Sequence, residues 1–388
     1  MSSFAMEKVP SSEIRVMFDA AKKLEAEGKK LVHMEIGRPD MDTPAHIVEA
    51  AVKALRNGEV HYASNAGILP LREAIADKYD TEHQLSYDPY KNILVTNGVA
   101  EGVYLAISAL LNPGDEILIP DPVWLNYNNV PVMNFIHPVS YTLTSNNSFL
   151  PDINELKEKV TNHTKMLVLL SPSNPTGAML THQAINELAS FAKENDLIVL
   201  SDEIYEKIIY DSKKHISIAT VKDMKERTII LNGFSKFYSM TGWRIGYALG
   251  NEKYIQPMLK MHQYINSAST TFAQWGALEA LTGDQTPSIK MVKQFEKRRN
   301  FFVKSLNEIP GFQCPRPDGA FYVFPSIKET GMSSKEMSQF LLEKAHVVSV
   351  AGSSFGKSGE GHIRFSYTAS LYELEIAVHH ISKAMKDL

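Results

Sequence analysis

The chain carries a single cysteine, Cys314, among its 388 residues. One thiol cannot form an internal disulfide or build a zinc cluster, and this fits a reducing cytoplasm. A surplus of charge is also missing, since 40 Lys and Arg against 44 Asp and Glu leave a net charge of -4. Without a basic field, nucleic acid is not an expected partner. No apolar run approaches the roughly 20 residues that cross a bilayer. The opening stretch from Met1 to Arg15 lacks the apolar core of a signal peptide. The expectation is a cytoplasmic protein that binds neither membrane nor nucleic acid. On the same ground the glycosylation triplets at Asn146 and Asn162 are read as coincidence. Repeats, low-complexity tracts and long flexible linkers are absent as well.

What is present is an ordinary globular composition, 44% hydrophobic and 22% charged, long enough for two cooperating domains. Through the middle of the chain, short apolar runs alternate with helix-like segments, the pattern of a parallel sheet covered by helices. Strands are expected at 93–96, 116–119, 166–170, 197–200 and 228–231, with helices at 100–111 and 181–195. Thr181 reads as the N-cap of the second helix. The ends differ. Charged helices at 12–27, 289–308 and 370–388 accompany short strands at 31–35, 320–324 and 362–366. The expected fold is α/β, a large domain inserted into a smaller α+β domain assembled from both termini. The expected divisions are an arm and part of the small domain at 1–45, the large domain at 46–285, and the remaining small domain at 286–388.

Chemistry gathers at strand ends. Strand 166–170 runs into Ser171-Pro172-Ser173-Asn174-Pro175-Thr176-Gly177, and strand 197–200 into Ser201-Asp202-Glu203-Ile204-Tyr205. Strand 228–231 runs into Asn232-Gly233-Phe234-Ser235-Lys236. Open parallel sheets bind ligands beyond the carboxyl ends of their strands, so an Asn, an Asp, a Tyr and a Lys arrive at one edge. Strand 93–96 ends at Asn97-Gly98-Val99-Ala100, where a helix opens and its free N–H groups make an anion site. Pyridoxal phosphate needs such a set: an amine for its aldehyde, a carboxylate for its pyridine nitrogen, donors for its phenolic oxygen, and a helix N-terminus with cations for its phosphate. Each residue alone has a plainer role. A lysine after a strand is usually solvated, an aspartate there usually caps a helix, Asn-Pro usually makes a turn, and a tryptophan is usually core.

The segment from Phe234 through Lys236 and Arg244 to Gly246 resembles the Schiff-base motif of class I aminotransferases, pyridoxal-phosphate enzymes of fold type I. The runs 171–177 and 201–205, Asn112-Pro113-Gly114-Asp115-Glu116, Gly319-Ala320-Phe321-Tyr322-Val323 and Ile363-Arg364-Phe365-Ser366-Tyr367 resemble further family blocks in the family's order. The likeness extends from about residue 10 to the end of the chain. It implies a mostly parallel seven-stranded sheet in a large α/β/α cofactor-binding domain. It also implies roles. Lys236 would hold the cofactor and move protons, Asp202 would pair with the pyridine nitrogen, and Tyr205 and Asn174 would bond the phenolic oxygen. Arg244, Ser235 and the backbone at Gly98, Val99 and Ala100 would hold the phosphate, and Trp124 would stack on the ring. Arg364 would clamp the substrate α-carboxylate, with Gly37 and Asn174 nearby. Tyr62 would reach the phosphate of the other subunit in a homodimer whose active sites are shared across the interface.

Three departures stand out. Gly233 occupies a position where many relatives carry a phosphate-binding serine, and Ala100 one where aspartate-preferring relatives carry a lysine. Arg38 stands where an acidic or polar residue is common, and reads as either a second carboxylate anchor or a solvated side chain. The run from Gly352 to Ser358 mimics a P-loop but has three residues between its glycines where four are needed. The reading is an aminotransferase passing an amino group from an L-amino acid to a 2-oxo acid in two half-reactions through pyridoxamine phosphate. A carbon–sulfur β-lyase is the alternative on the same scaffold. A non-catalytic cofactor-binding regulator would need a DNA-binding module that the short N-terminal segment does not supply. The side-chain pocket, with Arg15, Arg38 and residues 266–271 near it, leaves the donor open.

Overall fold

Runs rich in β-branched and long aliphatic residues set the central strands. In the computed structural model, which describes residues 2–10 and 13–386, twelve strands occur among the described residues. They are β1 Val32–His33, β2 Ile93–Thr96, β3 Glu116–Asp121, β4 His137–Thr142, β5 Thr164–Leu170 and β6 Ile198–Asp202. β7 Thr228–Gly233, β8 Gly246–Gly250, β9 Tyr322–Val323, β10 Val347–Val348, β11 Val350–Ala351 and β12 Ile363–Ser366 follow. Seven of them form one sheet in the order β2-β8-β7-β6-β5-β3-β4. β3 to β7 are parallel to their neighbours among themselves, and β8 runs antiparallel between β2 and β7.

Both faces of this sheet are covered, which is why its central strands read as unbroken apolar runs. Successive side chains of a strand point to opposite faces. Thus Met166, Val168 and Leu200 pack in one core with the helix Val99–Leu110. Leu167, Leu169 and Val199 pack in another with the helix His182–Glu194. That second helix begins as expected, with the Thr181 hydroxyl accepting the Ala184 N–H at 3.1 Å.

Sequence reading passed over four strands, β10 and β11 in the smaller part and β4 and β8 in the large sheet. β4 is an edge strand of polar residues whose first five positions are mostly exposed or half-buried, so it lacks the apolar run that marks its neighbours. β8 is Gly-Tyr-Ala-Leu-Gly. Its glycines are required by contact, since a Cβ on Gly246 would fall 2.8 Å from the backbone nitrogen of Val99. The smaller α+β part joins the two ends of the chain. β1 pairs in parallel with β10, and β11, β12 and β9 form an antiparallel sheet of three. The strands expected at 31–35 and 320–324 shrink to two paired residues each, although Met34 still bonds through its backbone to Val348 and Ser366. The terminal helices run Glu13–Ala26 and Leu371–Lys386, while Ser12, Asp387 and Leu388 of the expected spans lie outside the described residues. Among the described residues no helix is long and apolar enough to cross a membrane.

Candidate active site

The carboxyl ends of β5, β6 and β7 open on a cavity of about 360 Å³. Asn174, Asp202, Tyr205, Ser235 and Lys236 all line it, as do Trp124, Val99, Ala100, Arg244, Gly37 and Arg364 from other elements. The residues converge because a parallel sheet delivers every strand's carboxyl end to one side. Gly98 adjoins the cavity through its contact with Arg244.

Lys236 is partly buried, and its Nζ donates to the Gly37 carbonyl at 2.8 Å. Burial lowers its proton affinity to about 8, with the positive charges of Arg364 and Arg244 pushing the same way. Asp202 is buried and pushed up to about 6 by that burial, against the pull of a hydrogen bond from Tyr127. Its Oδ1 accepts the Ile204 N–H at 3.1 Å and its Oδ2 accepts the Tyr127 hydroxyl at 2.8 Å. An aspartate closing a turn and an aspartate facing a cavity are therefore the same residue here.

The anion corner is built from backbone. Gly98 has φ 78°, and a Cβ on it would sit 2.5 Å from Arg244 Nη2. The first-turn N–H groups of Val99 and Ala100 follow, which a helix cannot satisfy internally. Arg244 is an exposed residue anchored by Nη1 to the Thr241 carbonyl at 3.0 Å. The glycine at 233 also has a structural cause. A Cβ there would lie 2.8 Å from the Cα of Gly246, so the strand pairing leaves no room for a serine.

Opposite this corner, Arg364 is 1% exposed. Its Nη1 donates to Asn174 Oδ1 at 3.2 Å and its Nη2 to the Glu35 carbonyl, while Nε has no partner among the described residues. The guanidinium lies 4.7 Å from the Tyr322 ring centre and 4.9 Å from that of Phe355. The Tyr322 hydroxyl meets that of Tyr205 at 2.9 Å. It also explains Gly37, where any Cβ would sit 1.8 Å from that hydroxyl.

Some residues fall elsewhere. Tyr62 is 92% exposed and does not line the cavity, and Arg15 and Arg38 are exposed. Tyr127, Tyr322 and Glu35 escaped the sequence reading. Tyr322 lay inside a quoted block, and Tyr127 follows Trp124 at the i,i+3 spacing that puts two residues on one helix face. Behind β6, Glu203, Glu206 and His215 converge closely enough to suggest a metal. Lys78 Nζ stands 2.5 Å from Glu206 Oε1, so a cation of the protein already balances that cluster.

A deprotonatable lysine, a buried carboxylate, an anion corner and an arginine with an unpaired N–H thus share one cavity. Comparison with known proteins agrees. Residues 29–381 match the family model of class I and II aminotransferases. The chain is 42% identical over 384 residues to an aspartate aminotransferase of Pyrococcus abyssi, spanning 98% of this chain and 97% of that one. It is 40% identical over 384 residues to aromatic-amino-acid aminotransferase 2 of Thermococcus litoralis, with the same coverage. The solved alanine aminotransferase of Pyrococcus furiosus superposes with a TM-score of 0.95 at 34% identity, covering 100% of both chains. Enzymes of this family depend on pyridoxal phosphate. The chain belongs to the class I and II aminotransferases and is a transaminase.

Proposed function

We propose that this transaminase holds pyridoxal 5′-phosphate between Lys236 and Asp202 and works as a homodimer. The observation that carries the reading is the shared cavity of a lysine lowered to about 8 and a buried carboxylate, flanked by a backbone anion corner. The residues present fit the group. Lys236 is the amine for the aldehyde, Asp202 the partner of the ring nitrogen, and Tyr205 and Asn174 the partners of the phenolic oxygen. Gly98, Val99, Ala100, Ser235 and Arg244 would hold the phosphate, Trp124 would stack on the ring, and Tyr62 of the partner subunit would complete the corner. Residues 46–285 form the cofactor-binding unit, with 1–45 and 286–388 contributing the arm and the smaller domain.

When bound, the cofactor supplies a ring that withdraws electrons from the substrate Cα. The protein's part is orientation and proton movement. Arg364 takes the α-carboxylate, using the Nε that lacks a partner. Lys236 Nζ, free once the incoming amino group has taken its place, would then accept the Cα proton, because a neutral amine is available near neutral pH only when its proton affinity is depressed. The apolar walls, Val99, Val103 and Leu170, exclude water. A 2-oxo acid closes the cycle by the reverse steps.

A single-turnover assay tests this. Holoenzyme mixed with an amino acid and no acceptor should yield one equivalent of 2-oxo acid and no free ammonia. Continuous pyruvate and ammonia from cystathionine without an acceptor would instead identify a β-lyase. Sedimentation velocity should give a dimer.

A further inference from the structure

The hydroxyl of Tyr127 is the one side-chain donor on Asp202 among the described residues. Tyr127 lies in the first turn of the helix Leu125–Met133, just after Trp124, and its side chain is fully buried in the core between that helix and the sheet. Phenylalanine would fill the same apolar space. The hydroxyl therefore needs a separate reason, and its one partner among the described residues is Asp202 Oδ2 at 2.8 Å. Burial, reinforced by Asp202 itself, keeps this phenol far from ionising, so it can only donate to the carboxylate.

The effect on Asp202 follows from what a carboxylate needs. Buried without donors, it takes up a proton and becomes a donor itself. A protonated Asp202 cannot hold a protonated ring nitrogen. One donor on each oxygen favours the ionised form and pins the plane of the group. A carboxylate has about four acceptor positions, so room is left on the cavity side for a third donor.

We propose that Tyr127 is a positioning residue for the cofactor, holding Asp202 ionised and oriented through its hydroxyl. The same turn then carries both Trp124, which lines the cavity, and the donor that conditions Asp202. The proposal rests on the reading that Asp202 pairs with the ring nitrogen.

The test measures binding of pyridoxal 5′-phosphate to cofactor-stripped protein, so it does not depend on turnover. Wild type, Tyr127→Phe, Asp202→Asn and the double variant are compared by absorbance titration. Tyr127→Phe should weaken binding about 10- to 100-fold, the range of a hydrogen bond to a charged group. In the Asp202→Asn background the same change should shift binding by less than about threefold, because no charge remains to be held. A packing role would give the same factor in both backgrounds, and that result, or wild-type affinity for Tyr127→Phe alone, overturns the proposal. Wild-type affinity for Asp202→Asn would instead remove the reading beneath it.

Discussion

Lys236 sits where a charged lysine is poorly tolerated. Its amine is depressed to about 8, against roughly 10.4 in an unfolded chain. Between those values the unfolded chain binds more protons, so the cofactor-free protein gains stability as pH rises from about 8 to above 10. Lys236→Met removes this dependence. The variant should melt higher than stripped wild type at pH 7, by on the order of 1–3 kcal/mol, with the gap closing above pH 10. It should also lose transamination and the visible absorbance of the bound cofactor. Equal melting curves across that range would refute the burial argument. Arg364 makes a different kind of demand, because its planar fork meets Asn174 and the Glu35 carbonyl while leaving Nε free. Arg364→Lys keeps the charge but not the fork. It should lower kcat/KM for the amino donor about 100-fold or more, with cofactor affinity nearly unchanged.

Among the elements, legibility in the sequence follows burial. β5, β6 and β7 were readable because strands covered on both faces are continuously apolar, and their carboxyl ends named Asn174, Asp202 and Lys236 at once. β4 and β8 were not, one being a polar edge and the other bounded by glycines whose reason is a contact with another element. The helix Val99–Leu110 shows the same split. Its start was visible, yet the need for glycine at 98 depends on Arg244, far along the chain. Gly98→Ala should push Arg244 aside and strain a left-handed residue. Cofactor affinity should fall at least tenfold and the stripped protein should lose about 1–3 kcal/mol of stability to that strain, as titration and calorimetry can check. The cap at Thr181 lies away from the cavity. Thr181→Ala should cost about 1 kcal/mol of stability and leave kinetics alone.

For the molecule as a whole, the unanswered surface is the one bearing Tyr62. A tyrosine at 92% exposure, outside the cavity, has no evident task within one chain. In the proposed dimer it completes the partner's anion corner. Tyr62→Phe should leave sedimentation unchanged and weaken cofactor binding about 10-fold or more, by the loss of one hydrogen bond to a charged group. Unaltered affinity would remove Tyr62 from the site.

The sequence by itself determined the family and the strand ends that carry its residues, because a motif and the strand before it are local facts, and it left transamination and β-elimination both open. It also determined that the small α+β part would draw on both termini. Only the tertiary structure decided how those residues behave. Lys236 meets Gly37 across 199 residues, and Asp202 meets Tyr127 across 75. Proton affinity depends on burial and on the charge and donors nearby, and these come from segments whose approach no local pattern records.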